Sequence, residues 1–402
     1  MKRGIGHPAA TLAGDIPVPR GHRVDRLGAL LAVVGIAAFV FLPLVVFKSN
    51  RLVPGDPRGW LEALPRWAAL GSAATLALVA IVALRASSAA LRLGAALLGL
   101  VIVALAVAAA ANALTPPGNR IVRVAPGSGF WVLLVALGLL MTDAVTRLRP
   151  GPGLRVLFLA LLIALVGFAL SRGVFDNLSV MREYAVNADR FAREFRQHLW
   201  LALGSLAAAV VVGLPIGIVC HRSARLRAAM LGTLNVIETI PSLALFGILM
   251  APLGALAAAV PLAAALGIQG IGTAPAIIAL FLYALLPIVA NTAAGLRRVS
   301  PAIVEAARGM GMTSWQVLVS VELVLALPVI LTGIRIVLVQ NIGLATIAAL
   351  IGGGGLGTFV FQGIGQTAID LVLLGAIPTV ALAFTAAVVL DAIVEITERA
   401  RR

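Results

Sequence analysis

Glu238, Ser242, Asn291, Arg335, Gln340 and Asn341 are polar side chains that fall inside otherwise apolar stretches of this 402-residue sequence. An ionisable group in hydrocarbon is costly, so each is a functional candidate by default. One carboxylate, one guanidinium and four neutral hydrogen-bonding groups can bind or pass a polar solute. Glu238 and Ser242 are four apart, a spacing that puts them on one helix face beside Pro241. The residue before a proline is pushed out of the α region, so Ile240 marks a kink. Glu238 is expected to pair with Arg335, and Ser242, Asn291, Gln340 and Asn341 to line a translocation path. The alternative use of such groups is to bond helices to one another.

Other chemistries find little support. The glycines of 352–357 lack the Lys and Ser/Thr that a phosphate loop places after its glycines, so no ATP site is expected on this chain. Gly352, Gly353, Gly354, Gly355 and Gly357 read instead as a turn near a gate, with Pro241 as a hinge. One cysteine, Cys220, excludes an internal disulfide framework. His7, His22, His198 and His221 form no metal-binding spacing, so no metal is expected. The net charge of +15 comes without the interleaved aromatics that stack on bases, so nucleic acid is not an expected partner. The arginines flank apolar runs and face anionic lipid.

The elements that must position these groups are membrane spans. Of the residues, 61% are hydrophobic and 12% charged, whereas soluble chains carry about 25% charged residues. Such excess apolar surface must face lipid. Runs long enough to cross recur near 27–47, 67–84, 93–114, 129–145, 154–170, 199–219, 229–251, 275–296, 325–346 and 371–393. The expectation is an all-α polytopic membrane protein with about ten transmembrane helices. Its parts are a basic cytoplasmic tail at 1–26, a five-helix block at 27–170 of unknown role, a periplasmic connector at 171–198 and a second five-helix region at 199–398. With the N-terminus inside, the cytoplasmic loops hold more Lys and Arg than the outer ones, as the positive-inside rule requires. Both termini are then cytoplasmic.

Within 177–198, Leu178, Met181, Tyr184, Ala185, Ala188, Phe191 and Phe195 share one helical face. The stretch is expected to lie on the outer membrane surface, with a docking site for a solute-binding protein as the alternative. The run 255–267 is too short to cross and contains Pro261, so it reads as re-entrant or interfacial.

The loop 297–324 carries the strongest local signals. Ser300-Pro301 supplies a cap and a favoured first helical residue. Gly309 and Gly311 stop that helix, and Thr313 with Gln316 fits a capping box for the next. Two short helices joined by a glycine turn are expected. Glu305-Ala306-Ala307, then Gly311, Val321 and Leu323, resembles the EAA loop of binding-protein-dependent ABC importer permeases. Where that family usually has proline after the equivalent of Leu323, this chain has Val324, with Pro328 four residues later. The resemblance covers roughly 199–398 and implies a type I ABC importer permease core. It implies that Glu305, Ala306, Ala307, Gly311, Val321 and Leu323 couple to a separate ABC ATP-binding subunit, which binds the ATP and Mg. A periplasmic solute-binding protein and a second permease copy or paralogue are implied too, in the inner membrane of a bacterium.

Glu238-Thr239-Ile240-Pro241-Ser242-Leu243-Ala244, Leu282-Tyr283-Ala284-Leu285-Leu286-Pro287 and Ile351-Gly352-Gly353-Gly354-Gly355-Leu356-Gly357 look like the osmoprotectant branch of that family. The branch imports glycine betaine, choline and related quaternary ammonium solutes. Another small solute, such as an amino acid, remains an alternative. A secondary transporter would need more buried acids and inverted repeats, and a membrane enzyme a cluster of His, Asp or Glu.

Overall fold

A computed structural model describes residues 25–50, 53–85, 88–119 and 121–399. Of the basic tail, Lys2, Arg3, Arg20 and Arg23 lie outside the described residues. Among those described, nine helices are long and apolar enough to cross a membrane, and one shorter apolar helix, Arg26–Phe41, precedes them. The chain forms two compact units.

The first unit is built from α1 (Arg26–Phe41), α2 (Trp60–Ala63), α3 (Arg66–Leu84), α4 (Ala89–Leu114) as far as Val107, and α5 (Ser128–Leu148). One guanidinium organises it. Arg92 on α4 is fully buried and donates to Asp143 of α5 at 2.6 Å and to the carbonyl of Ala83 on α3 at 2.7 Å. It also pairs with Asp25, the cap of α1, at 3.0 Å. Arg147 closes the cluster on Asp25 at 2.7 Å and Asp143 at 2.9 Å. Because α1 comes so close to α3, a Cβ at Gly28 would sit 1.8 Å from the Ala83 oxygen. Only glycine fits there. Burial by itself would raise the pKa of the Asp25 carboxyl. The Gly28 amide, Arg147 and Arg92 outweigh burial and hold that pKa at about 2 rather than 3.8. The cap's contribution to stability is therefore complete above pH 3.8 and is lost as pH falls through about 2.

The second unit starts with a small sheet of order β2-β1-β3, from β1 (Val45–Lys48), β2 (Asp56–Arg58) and β3 (Arg123–Pro126). β1 runs antiparallel to β3, with Val45 opposite Pro126 and Lys48 opposite Arg123. There follow α6 (Pro152–Ser171), α7 (Ser179–Arg222), α8 (Ala224–Thr239), α9 (Ser242–Ala259), α10 (Pro261–Ala265) and α11 (Thr273–Arg297). The chain ends with α12 (Pro301–Gly309), α13 (Ser314–Val317), a π-turn at Leu318–Glu322, α14 (Leu323–Ile347), a 3-10 turn at Ala348–Ile351, α15 (Gly357–Gly365) and α16 (Ile369–Arg399).

At the centre is α11, whose Leu280, Ala284, Ile288 and Val289 are buried against α7 and α14. On α7, Gly213 and Gly217 let the backbones meet. A Cβ at either would reach Ile288 at 2.8 Å or Thr292 at 2.5 Å. Lipid offers helices no hydrophobic drive to associate, so close packing through small residues is what holds such a bundle. α6 joins this unit through charge: Arg155 pairs with Asp391 of α16 at 2.5 Å and also with Glu395.

Two spans differ from expectation. The run 27–47 is helical only as far as Phe41, and Val45–Lys48 forms β1 instead. The run 229–251 is not one helix but α8 and α9, broken at the extended residues Ile240 and Pro241. The stretch 177–198 is helical from Ser179, as its amphipathic pattern implies. It is the first part of α7, which bends at Asn187 and continues into the span.

Removing Arg92 leaves two largely buried carboxylates sharing Arg147 alone, and breaking a buried pair costs about 3–5 kcal/mol. Arg147 is 44% exposed, and an exposed pair is worth about 0–1 kcal/mol. Thermal unfolding in detergent should therefore show a large drop for Arg92→Ala and a small one for Arg147→Ala.

Candidate functional site

The loop 297–324 folds as its capping residues dictate. α12 ends in a Schellman turn in which Gly311, at φ 84°, donates to the Arg308 carbonyl at 2.9 Å and Met312 to that of Ala307 at 3.2 Å. The Thr313 amide donates to Gln316 Oε1 at 2.8 Å, and the Gln316 amide to Thr313 Oγ1 at 3.3 Å, which completes the capping box. Ser300 holds the cap position of α12 without a side-chain bond, and Pro301 leads the helix.

Ala307 is the residue of α12 that is buried; Glu305 and Ala306 face out. Ile303, Met310 and Trp315 are exposed, with Met310 at 77% and Trp315 at 71%. Exposed apolar groups beside a small-residue face and one carboxylate make a surface suited to docking. Val321 and Leu323 are half-buried, and Leu323 packs against Leu296, Leu318, Ala326 and Ile330. Although Val324 replaces the expected proline, the chain re-aims through the π-turn at 318–322 and then through Pro328 inside α14.

At the far end of α14 stands the glycine run. Gly352, Gly354 and Gly355 all have positive φ. The run is tied down rather than loose. Glu194 accepts from the Gly355 amide at 2.7 Å and from Thr358 at 3.3 Å. Gln197 donates to the Gly353 carbonyl and to Thr273 Oγ1, both at 2.9 Å. The Gly272 amide reaches the Ile351 carbonyl at 2.8 Å. Gly357 starts α15 where a Cβ would lie 1.9 Å from the Thr346 oxygen, so no side chain can replace it. Further along, Arg190 donates to Gln362 at 2.8 Å and lies over the Phe359 ring, while Ser179 bonds Asp370. The first part of α7 thus clasps 352–370. Glu194 and Gln197 were missed from sequence. Their signal was a pair of polar residues next to Phe191 and Phe195 on an amphipathic helix.

The polar groups within the spans do not converge. Arg335 donates to Asp391 of α16, not to Glu238, because its face of α14 turns toward α16. Glu238 lies in the last turn of α8 and forms no ion pair among the described residues. Ser242 begins α9, so the backbone break puts it and Glu238 on different helices rather than on one face. At that break the Tyr283 hydroxyl donates to the Ile240 carbonyl at 2.5 Å. Asn341 is fully buried and donates to Ser205 of α7 at 2.8 Å. Asn291 donates to the Pro287 carbonyl at 2.8 Å and lies against Gly333, where α11 meets α14. Gln340 is half-buried on α14.

A helical membrane bundle with an exposed two-helix element at one end of α14 and a clasped glycine turn at the other has the features of a solute permease. Residues 209–402 match the family described as binding-protein-dependent transport system inner membrane component, and 25–181 match the N-terminal domain of the ABC transporter permease YehY. The chain belongs to the binding-protein-dependent transport system inner membrane component family, the multi-pass permeases of ABC importers. The osmoprotectant import permease protein OsmW of Salmonella typhimurium is 44% identical over 48% of this chain and 84% of its own length. The carnitine transport permease protein OpuCB of Listeria monocytogenes is 42% identical over 46% and 78%. The glycine betaine/carnitine/choline permease protein OpuCB of Bacillus subtilis is 36% identical over 50% and 84%. A solved MetNI methionine ABC transporter in an inward-facing conformation aligns with 52% of this chain and 95% of that one, at 23% identity and a TM-score of 0.45.

Glu194→Ala removes a charged acceptor, a loss of about 1.5–3 kcal/mol for such a bond. Hydrogen exchange at 352–358 should speed up markedly, while exchange in α11 stays as in the parent chain.

Proposed function

We propose that this chain is the translocating subunit of an ATP-driven importer for a quaternary ammonium osmoprotectant such as glycine betaine, carnitine or choline. The exposed α12–α13 element carries this reading. Its Glu305-Ala306 face, Gly311 turn and apolar Ile303, Met310 and Trp315 suit a groove on a separate ATP-binding subunit, which would hold the ATP and Mg. Both termini and this element then face the cytosol of a bacterial inner membrane. A solute-binding protein delivers solute on the opposite side, and a second permease copy or paralogue completes the path.

Coupling is mechanical on this reading. Closure of the ATPase pushes on α12, and the rigid Schellman turn and capping box pass the push into α14. The far end of α14 bears the glycine turn of 352–357, which Glu194 and Gln197 hold to α7. Moving α14 loads that clasp, so the turn acts as the outer gate and Pro241 as a hinge in the break between α8 and α9. Glu238 and Ser242 flank that break and are the path residues best placed to meet a solute. The names of the relatives support the substrate class, and an amino acid is the second reading.

Proteoliposomes holding the chain with its ATPase and binding protein test both parts. Glu305→Lys reverses a charge at the docking face, a loss of about 1.4 kcal/mol and so about tenfold in affinity. ATP-driven uptake should fall accordingly while membrane insertion and thermal stability are unchanged; full uptake would exclude the coupling role. Competition between labelled glycine betaine and unlabelled carnitine, choline and amino acids ranks the solutes. Displacement by amino acids alone would overturn the substrate class.

A further inference from the structure

The first unit holds a cavity of about 410 Å³ between α1, α3 and α5. It lies within the range of about 300–1,000 Å³ of small-molecule sites. Its wall is carbon almost throughout: Leu31, Gly35 and Phe39 of α1, Ala77 and Leu84 of α3, and Leu137 of α5 are among the lining residues. A cavity of that lining stays dry. It also offers no partner to a charged solute, so it is no part of a path for a quaternary ammonium ion or an amino acid. It is partly open, and Ala77, one of its lining residues, is itself exposed.

One end of this cavity is charged. It runs down to Leu84 and Leu31, beside the Arg92 cluster that caps the same ends of α1, α3 and α5. Arg85 follows Leu84 directly, Arg26 opens α1, and both are exposed. Neither forms an ion pair among the described residues, whereas Arg147 next to them is 44% exposed and shared with Asp25 and Asp143. Asp25 and Asp143 are already taken up by Arg92 and Arg147, so the rim presents an excess of positive charge. Basic groups at one end of an apolar recess between spans match the two chemical parts of one molecule, an anionic headgroup on a hydrocarbon chain.

We propose that the first unit binds one anionic phospholipid, with an acyl chain in the α1/α3/α5 cavity and its phosphate at Arg26 and Arg85. The chain part gives no selectivity, because bulk lipid is as apolar as the cavity wall. Discrimination comes from the rim.

Native mass spectrometry of the full chain released from detergent, after equilibration with equal amounts of phosphatidylglycerol and phosphatidylcholine, tests this. The parent chain should retain one phosphatidylglycerol in preference to phosphatidylcholine. Arg26→Gln and Arg85→Gln should each lower that preference by about fivefold. Ala77→Phe, which crowds the cavity, should abolish retention of either lipid while the melting temperature stays close to the parent's. Equal retention of the two lipids, or undiminished retention in Ala77→Phe, overturns the proposal. So does a lipid-free dimer, which would mean that a second copy of the chain covers the opening.

Discussion

One continuous rod of chain sets what the second unit can do. From Ser314 to Ile351 the backbone is helical for 38 residues, through the π-turn and Pro328, and a helix of that length spans about 57 Å. Inside a bilayer every backbone amide and carbonyl must be satisfied locally, so the rod bends or shifts as a unit and does not melt in the middle. Its two ends are the two unusual features of the fold, the exposed α12–α13 element and the glycine turn. Lateral ties hold it at intervals: Leu318 and Ile330 against Leu296, Arg335 to Asp391, Asn341 to Ser205.

The same constraint explains where glycine and charge are placed. With no hydrophobic force between helices in lipid, α7 and α11 hold together by close approach at Gly213 and Gly217. Where contacts cannot be that close, charge replaces packing. α6 exposes most of its length and makes its ion pairs near its start, from Arg155 to Asp391 and Glu395. The first unit carries this further, with one buried guanidinium serving a helix cap, a carboxylate and an open carbonyl together. Such a cluster is tolerable in an apolar setting because Arg92 meets two carboxylates and Arg147 restores the charge balance.

How much of this was legible in the sequence depends on range along the chain. Caps and turns are local, so Thr313 with Gln316, Gly311 as the left-handed stop, Pro301 at the helix start and the kink at Ile240 could all be read from a few neighbouring residues. Spans could be read as well, because hydropathy is a local average. The partner of Arg335 could not, since Asp391 lies 56 residues on. Its one signal was an acid inside the run 371–393. Glu194 and Gly355 are 161 residues apart, and Arg155 and Asp391 are 236 apart. No periodicity carries such pairings; helix packing decides them. Of the candidate path residues, Asn341 is occupied in bonding α14 to α7, which a polar residue inside a span does as readily as it meets a solute, while Asn291 bonds back to the Pro287 carbonyl of its own helix.

The break between α8 and α9 shows why a fold confined to lipid keeps such exceptions few. A proline at 241 denies the chain one amide donor and forces Ile240 into extended geometry, which leaves the Ile240 carbonyl without a helical partner. Left bare in hydrocarbon, that oxygen would cost several kcal/mol. Tyr283 supplies the missing donor from α11, and its ring is buried among the residues that pack α9 against α11. The break is therefore part of the packed bundle and not a weak point in a single span. It opens the helix where Glu238 and Ser242 sit, with the backbone bonding completed by a side chain 43 residues away.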